Sequence, residues 1–156
     1  MAQFEGCPGS KMQDFRPAAT GTAVEAGEVK SQLGQWPVQM HLISPTAPYF
    51  KGADVLLTAD CVAYALGGFH PEYLKGKSIG IACPKLDEGQ EEYVEKIKSW
   101  IDDAKINTLT VMIMQVPCCR GLLSLAQQAA QAATRKVPIK LIVVGIQGEI
   151  VEEGWV

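Results

Sequence analysis

The sequence predicts an α/β fold, a three-layer sandwich around a mainly parallel sheet of flavodoxin-like or Rossmann-like type, preceded by a loop-rich N-terminal arm. Three observations predict it. Short apolar runs of strand length alternate with longer segments of helical periodicity, which is the pattern of strand–helix–strand units with right-handed crossovers. The runs at 53–58 (ADVLLT), 108–116 (TLTVMIMQV) and 138–145 (PIKLIVVG) are nearly continuous in apolar residues, as strands covered on both faces are. The chain has 156 residues, 47% hydrophobic and 20% charged, which suits one globular domain whose core needs no disulfide staples.

Taken in order, residues 1–35 form the arm. They are poorly periodic and hold Cys7-Pro8-Gly9-Ser10, Pro17, Gly21 and Gly27. Such an arm needs an anchor, and a metal ligand at Cys7 would supply one. Residues 36–156 form the domain proper. A strand is expected over 38–43 (VQMHLI), between Pro37 and Pro45, with His41 packed in the core; a turn follows at 47–51. The run at 53–58 is a strand, and Cys61 follows it. A short helix is expected over 70–74, stopped by Gly76. The strand at 78–82 (SIGIA) runs directly into Cys83. Residues 87–106 are the strongest helix, since Tyr93, Val94, Ile97, Trp100, Ile101 and Ala104 recur at three- and four-residue spacing. Asp87 is its expected N-cap. The strand at 108–116 ends in Pro117-Cys118-Cys119, an Ala- and Gln-rich helix spans 121–134, the last long strand spans 138–145, and 148–153 adds an edge strand. No internal repeat and no GxGxxG fingerprint occurs, so Gly67-Gly68, Gly145 and Gly148 read as turns.

Composition also excludes function classes. The formal charge is -3 with no basic run, which argues against nucleic acid as a partner. No stretch approaches the roughly 18 apolar residues of a membrane span. Residues 1–6 have neither the positive start nor the apolar stretch of a secretory signal, so a cytoplasmic protein is expected. There are five cysteines, an odd number in a reducing compartment, where a disulfide framework is disfavoured.

The cysteines carry the chemistry. Cys61, Cys83 and the Cys118-Cys119 pair each follow a predicted strand. Parallel strands end on one edge, and open α/β sheets bind ligands outside that carboxyl edge. Cysteines distant in sequence therefore converge. Cys7-Pro8, Cys83-Pro84 and Pro117-Cys118 each set proline beside the thiol, which stiffens the loop. Thiolates favour zinc, Cu(I) and iron–sulfur clusters. Zinc sites use closely spaced CxxC or His ligands, which are missing here, whereas a 4Fe-4S cluster takes four thiolates and can be held from several sides. The expected ligands are Cys7, Cys61, Cys83 and Cys118. Cys119, turned roughly 100° away by helical geometry, stands beside the centre. Zinc held by the same cysteines is the alternative metal. Cys118 and Cys119 precede a helix whose N-terminus lowers thiol pKa, so a metal-free redox or sulfur-carrying thiol stays open, as does a module that docks a redox partner. Arg120, Lys85 and His70 are candidates for the surroundings of the centre, Asp60 for orienting Cys61. Ser10 and Ser124 have no base nearby in sequence, which leaves nucleophilic hydrolysis without support.

The segments GCPGSKMQDFR (6–16), SQLGQWPVQMHLISPTAPYFKGADVLLTADC (31–61), ACPKLD (82–87) and VPCC (116–119) resemble a family of ferredoxin-type iron–sulfur proteins of anaerobic bacteria and archaea. In that family a dicluster 4Fe-4S ferredoxin module precedes a domain like this one. The resemblance implies an iron–sulfur, electron-transfer setting with a ferredoxin or another redox protein as partner. It implies no settled reaction. The CxxCxxC runs of the ferredoxin module are absent from this sequence. Phe4-Glu5-Gly6 stands where relatives have His-Gly-Gly, which removes that histidine from any role here. Arg120 stands where they have glycine, and its charge would raise the potential of a centre beside it.

Overall fold

The structure is a computed structural model and describes residues 11–16 and 27–156. Cys7 and much of the expected arm lie outside the described residues. Strands β1 (Gln13–Asp14) and β2 (Gln35–Trp36) form a small antiparallel pair. Gln35 ties this pair to the domain. It is 1% exposed, and its side-chain amide donates to the Ile79 carbonyl at 2.9 Å and accepts from the Ile79 N–H at 2.8 Å. A buried amide satisfied in both directions holds its segment firmly, because breaking either bond strands a polar group.

The main sheet contains β3 (Asp54–Ala59), β4 (Ser78–Ala82), β5 (Thr108–Met114), β6 (Ile139–Val144) and β7 (Ile150–Trp155), in the order β4-β3-β5-β6-β7. The first four are parallel, and β7 returns antiparallel on β6. Helices α1 (Val62–Ala65), α2 (Gln90–Asp102) and α3 (Arg120–Ala132) lie in the connections. The chain steps from β3 outward to β4, then back across to β5 and on to β6. With right-handed crossovers, the β3–β4 link covers one face while α2 and α3 cover the other, giving three layers. Side-chain parity agrees. A Cβ on Gly80 would meet Met40 Sδ at 2.7 Å and Trp100 Cη2 at 2.8 Å, so β4 needs glycine where α2 presses on the sheet. Ile79 and Ile81 point the other way, toward Phe69 and His70.

The core consists of the apolar residues of β3, β5 and β6 and Ile79 and Ala82 of β4, together with Tyr93, Ile97, Trp100 and Ile101 of α2 and Leu122, Leu125, Ala126 and Ala129 of α3, all buried. Fully burying one such large side chain stabilises by about 1.5–3 kcal/mol. Among the described residues no helix is long and apolar enough to cross a membrane.

Three expectations need correction. Residues 38–43 are not a strand. Gln39 makes a single bridge to Ile81, and the chain then turns as Leu42 and Ile43 donate to the Gln39 carbonyl; the segment between Pro37 and Pro45 is too short to do both. His41 is consequently exposed, not packed in the core: its Nε2 donates to the Glu88 carbonyl at 2.7 Å and its ring lies 4.6 Å from Tyr93. The long helix starts at Gln90, with Gly89 as N-cap at φ 65°, and Asp87 is spent elsewhere. The remaining elements fall within a few residues of the expected ranges, the 70–74 helix as a π-type turn over Phe69–Leu74.

The α2 helix ends at Asp102 and not at 106, since the backbone turns left-handed at Lys105 with φ 53°, and the Asp102 side chain caps a different segment. It accepts from the N–H groups of Thr134 (2.9 Å) and Arg135 (3.1 Å), from Thr134 Oγ1 (3.0 Å) and from Lys98 (3.1 Å). Desolvation pushes its pKa up, but the bonds from Arg135, Lys98 and Thr134 outweigh it and hold the carboxyl at about 2. A folded-state pKa below the unfolded value contributes stability that is present above the unfolded pKa and lost as pH falls through the folded one. Urea midpoints of the wild type should therefore fall between about pH 4 and pH 2. Asp102→Asn should flatten that part of the profile, and an unchanged slope in the variant would show that another carboxylate dominates.

Candidate functional site

The site is built from the carboxyl ends of the three neighbouring strands β4, β3 and β5. In a sheet of this order the chain reverses direction of travel between β3 and β5, which is the switch point where open α/β sheets open a crevice. Cys61 follows β3 and is the N-cap residue of α1. Cys83 follows β4. Cys118 and Cys119 sit in the short 3-10 turn Pro117–Cys119 that joins β5 to α3. The four described cysteines are free, with Cys61 and Cys118 exposed, Cys83 half-buried and Cys119 buried. The thiols of Cys83 and Cys118 act electrostatically on that of Cys61, and those of Cys118 and Cys61 on that of Cys119. The loops also touch: a Cβ on Gly121 would stand 3.1 Å from Pro84 Cβ, so the Cys83 loop rests on the first turn of α3. Among the described residues, no three His, Cys, Asp or Glu side chains gather closely enough to hold a single metal ion.

Asp87 shapes the Cys83 loop. Its carboxylate accepts the Cys83 N–H at 2.9 Å and the Tyr93 hydroxyl at 2.6 Å, while its own N–H returns to the Cys83 carbonyl at 3.0 Å. Gln90 Nε2 donates to the Pro84 carbonyl at 2.6 Å. This network anchors the loop to α2, and burial pushes the Tyr93 phenol far up so that it remains a donor. Sequence reading assigned Asp87 to a helix cap and missed this role. The signal available was its four-residue distance from Cys83, which suits a carboxylate closing a turn on a backbone N–H.

Burial pushes the Cys61 thiol up, and the bond its Sγ donates to Asp60 Oδ1 at 3.5 Å adds to this. Burial likewise raises Cys119, against a hydrogen bond from the Met114 backbone that pulls the other way. The expected lowering of a thiol pKa by the helix start is thus reversed at Cys119, since desolvation of a buried thiolate outweighs the helix dipole. His70 lines a cavity of about 380 Å³ with Asp60, Thr58 and Phe69, and its Nδ1 accepts the Gln32 N–H at 3.0 Å. Arg120, exposed at the start of α3, lines a second cavity of about 310 Å³ with Met114, Val116 and Pro117. Lys85 is exposed on the Cys83 loop. Neither cation forms an ion pair among the described residues. The structure therefore brings Cys61, Cys83, Cys118 and Cys119 to one edge with Arg120, Lys85 and His70 around them, and Cys7 lies outside the described residues.

Comparison with known proteins agrees with this architecture. The chain is similar to an uncharacterized protein of Archaeoglobus fulgidus, 27% identical over 121 residues that cover 76% of this chain and 83% of that protein. No solved structure matches it. The Rossmann-like domain family matches residues 47–155, from the turn before β3 to the end of β7, and the chain belongs to that family.

Proposed function

We propose that the cysteine edge binds an iron–sulfur cluster of the 4Fe-4S type, and that the domain serves electron transfer or a redox accessory role beside a ferredoxin or another redox protein. The supporting observation is the arrival of three thiols from three adjacent strand ends at the switch point of the sheet. Cys61, Cys83 and Cys118 are the ligands on this reading, with Cys7 as the fourth. The donor set fits. Thiolates are the ligands of such clusters, and thiols spread around a space suit a body with several metal corners better than one ion. Arg120 and Lys85 offer unpaired positive charge to an anionic centre. A bound cluster supplies one-electron storage. The chain's own residues do the rest: Asp87 fixes the Cys83 loop, Asp60 is the acceptor already in place on the Cys61 thiol, and buried Cys119 packs beneath. The raised thiol pKa of Cys119 gives no support to a nucleophilic carrier thiol at that residue, which needs the opposite shift. The protein acts in the cytoplasm and binds no nucleic acid on this reading, in keeping with its net charge of -3.

Anaerobic reconstitution followed by metal and acid-labile sulfide analysis tests this. The expected product is brown, with about four iron and four sulfide per chain. Colourless protein without iron overturns the proposal, and zinc without sulfide reassigns the centre.

A further inference from the structure

The opposite edge of the sheet, where β3 and β4 begin, holds a cavity of about 500 Å³. Two turns enter it. One is Lys51-Gly52 before β3, the other Lys75-Gly76-Lys77 before β4. They echo each other in sequence, as Tyr49-Phe50-Lys51-Gly52 and Tyr73-Leu74-Lys75-Gly76. Phe50 and Leu74 are 0% and 1% exposed, so each turn is pinned to the core by its apolar residue while the lysine after it faces outward. Gly52 and Gly76 have φ of 64° and 75°, and a Cβ on either would meet nothing within 4 Å. Glycine is therefore required at both turns by the left-handed backbone and not by crowding.

The charges in this cavity do not cancel. Asp54 is the carboxylate among its lining residues, and it already accepts from Asn107 Nδ2 at 2.8 Å and Thr108 Oγ1 at 2.7 Å. Arg16 is closed on Asp14 through two bonds of 2.9 and 2.7 Å. Lys51, Lys75 and Lys77 have no carboxylate partner among the described residues. A second, independent feature lies in the wall of the same cavity. Tyr49 lines it, is 0% exposed, and its hydroxyl has no hydrogen-bond partner among the described residues. Buried hydroxyls are almost always bonded. Burial, and then the nearby Asp14, raise its pKa, so it is a donor awaiting an acceptor.

We propose that this cavity binds a small molecule by a phosphate or diphosphate group, with Lys51, Lys75 and Lys77 meeting the charge and the Tyr49 hydroxyl donating to one oxygen. Three ammonium groups call for more than the single charge of a carboxylate, and lysine serves phosphate as a point charge. The volume lies in the range of small-molecule sites. The proposal stands apart from the cysteine edge, so iron content and anion binding succeed or fail separately.

Calorimetric titration of inorganic pyrophosphate into the full chain at fixed ionic strength is the test. One saturable site per chain is expected. Lys75→Ala should weaken it by about tenfold or more, as loss of a charge-assisted contact does. Tyr49→Phe keeps the ring and should also weaken binding, with an unchanged or raised urea midpoint as proof of folding. Lys136→Ala, at an exposed lysine outside the cavity, should leave affinity as it was. Absence of saturable binding overturns the proposal. So does equal weakening by Lys136→Ala and Lys75→Ala, which marks diffuse attraction, and so does full affinity in Tyr49→Phe.

Discussion

Cys61→Ser, Cys83→Ser and Cys118→Ser should each abolish iron retention, while Cys119→Ser keeps most of it. The difference follows from burial. Cys61 and Cys118 are exposed and Cys83 half-buried, and each sits in a loop or turn that opens to the carboxyl edge. Cys119 is 6% exposed, faces the core behind the 3-10 turn, and is held toward the neutral thiol by burial. Serine at 119 places a hydroxyl among apolar neighbours and should cost about 1–3 kcal/mol of stability, which lowers the urea midpoint without removing the site. Iron, sulfide and the visible spectrum after anaerobic reconstitution provide the readout. Complete loss in Cys119→Ser with retention in Cys118→Ser would reverse the roles of the pair. Cys7→Ser belongs in the same series: retention of full metal there would mean that the chain's described edge supplies the ligands without the arm.

Trp100→Ala should destabilise the domain by about 3–5 kcal/mol, the usual range for a large aromatic removed from a core. Trp100 is 0% exposed. It fills the space that Gly80 leaves on the sheet, and its ring lies 4.9 Å from that of Phe50. Its indole N–H has no hydrogen-bond partner among the described residues, and the cost is one of packing. Natural domains carry only about 5–15 kcal/mol in total, so a large share of the stability goes with this side chain. Equilibrium urea unfolding gives the value, and a change below about 1 kcal/mol would mean that the neighbouring residues collapse into the gap.

The parallel sheet was legible because apolar runs and turn residues alternate without ambiguity. The strand expected at 78–82 is β4 itself, residue for residue. Strand ends were legible for the same reason, and with them the meeting of Cys61, Cys83 and Cys118 at one edge. What sequence could not supply was competition between partners. Asp87 has the composition of a helix cap, yet a cysteine N–H and a tyrosine hydroxyl claim it, and a left-handed glycine starts the helix. His41 alternates with apolar neighbours as a strand residue does, yet the backbone around Gln39 bonds to itself and turns the imidazole outward. Thiol pKa was misjudged at Cys119 because the dipole of a helix start is visible in sequence and the depth of a side chain is not. The paired lysine turns at the other edge went unread, since their shared feature is a position in space. It emerges once Asp54 and Ser78 are seen to begin adjacent parallel strands.

The pairing of β3 with β5 also has a kinetic side. Asp54 lies opposite Thr108, so the thiols after these strands come together only when a long stretch of chain, with β4 and α2 inside it, has closed. Closing such a loop is an entropic cost borne before any contact repays it. During synthesis the neighbourhood of Cys61 is therefore unformed until Cys118 has been made and the sheet has assembled. In small zinc modules, metal affinity is itself the folding energy. Here a core of buried strands and helices supplies that energy, and any cofactor taken up at this edge arrives as a late passenger on a finished scaffold.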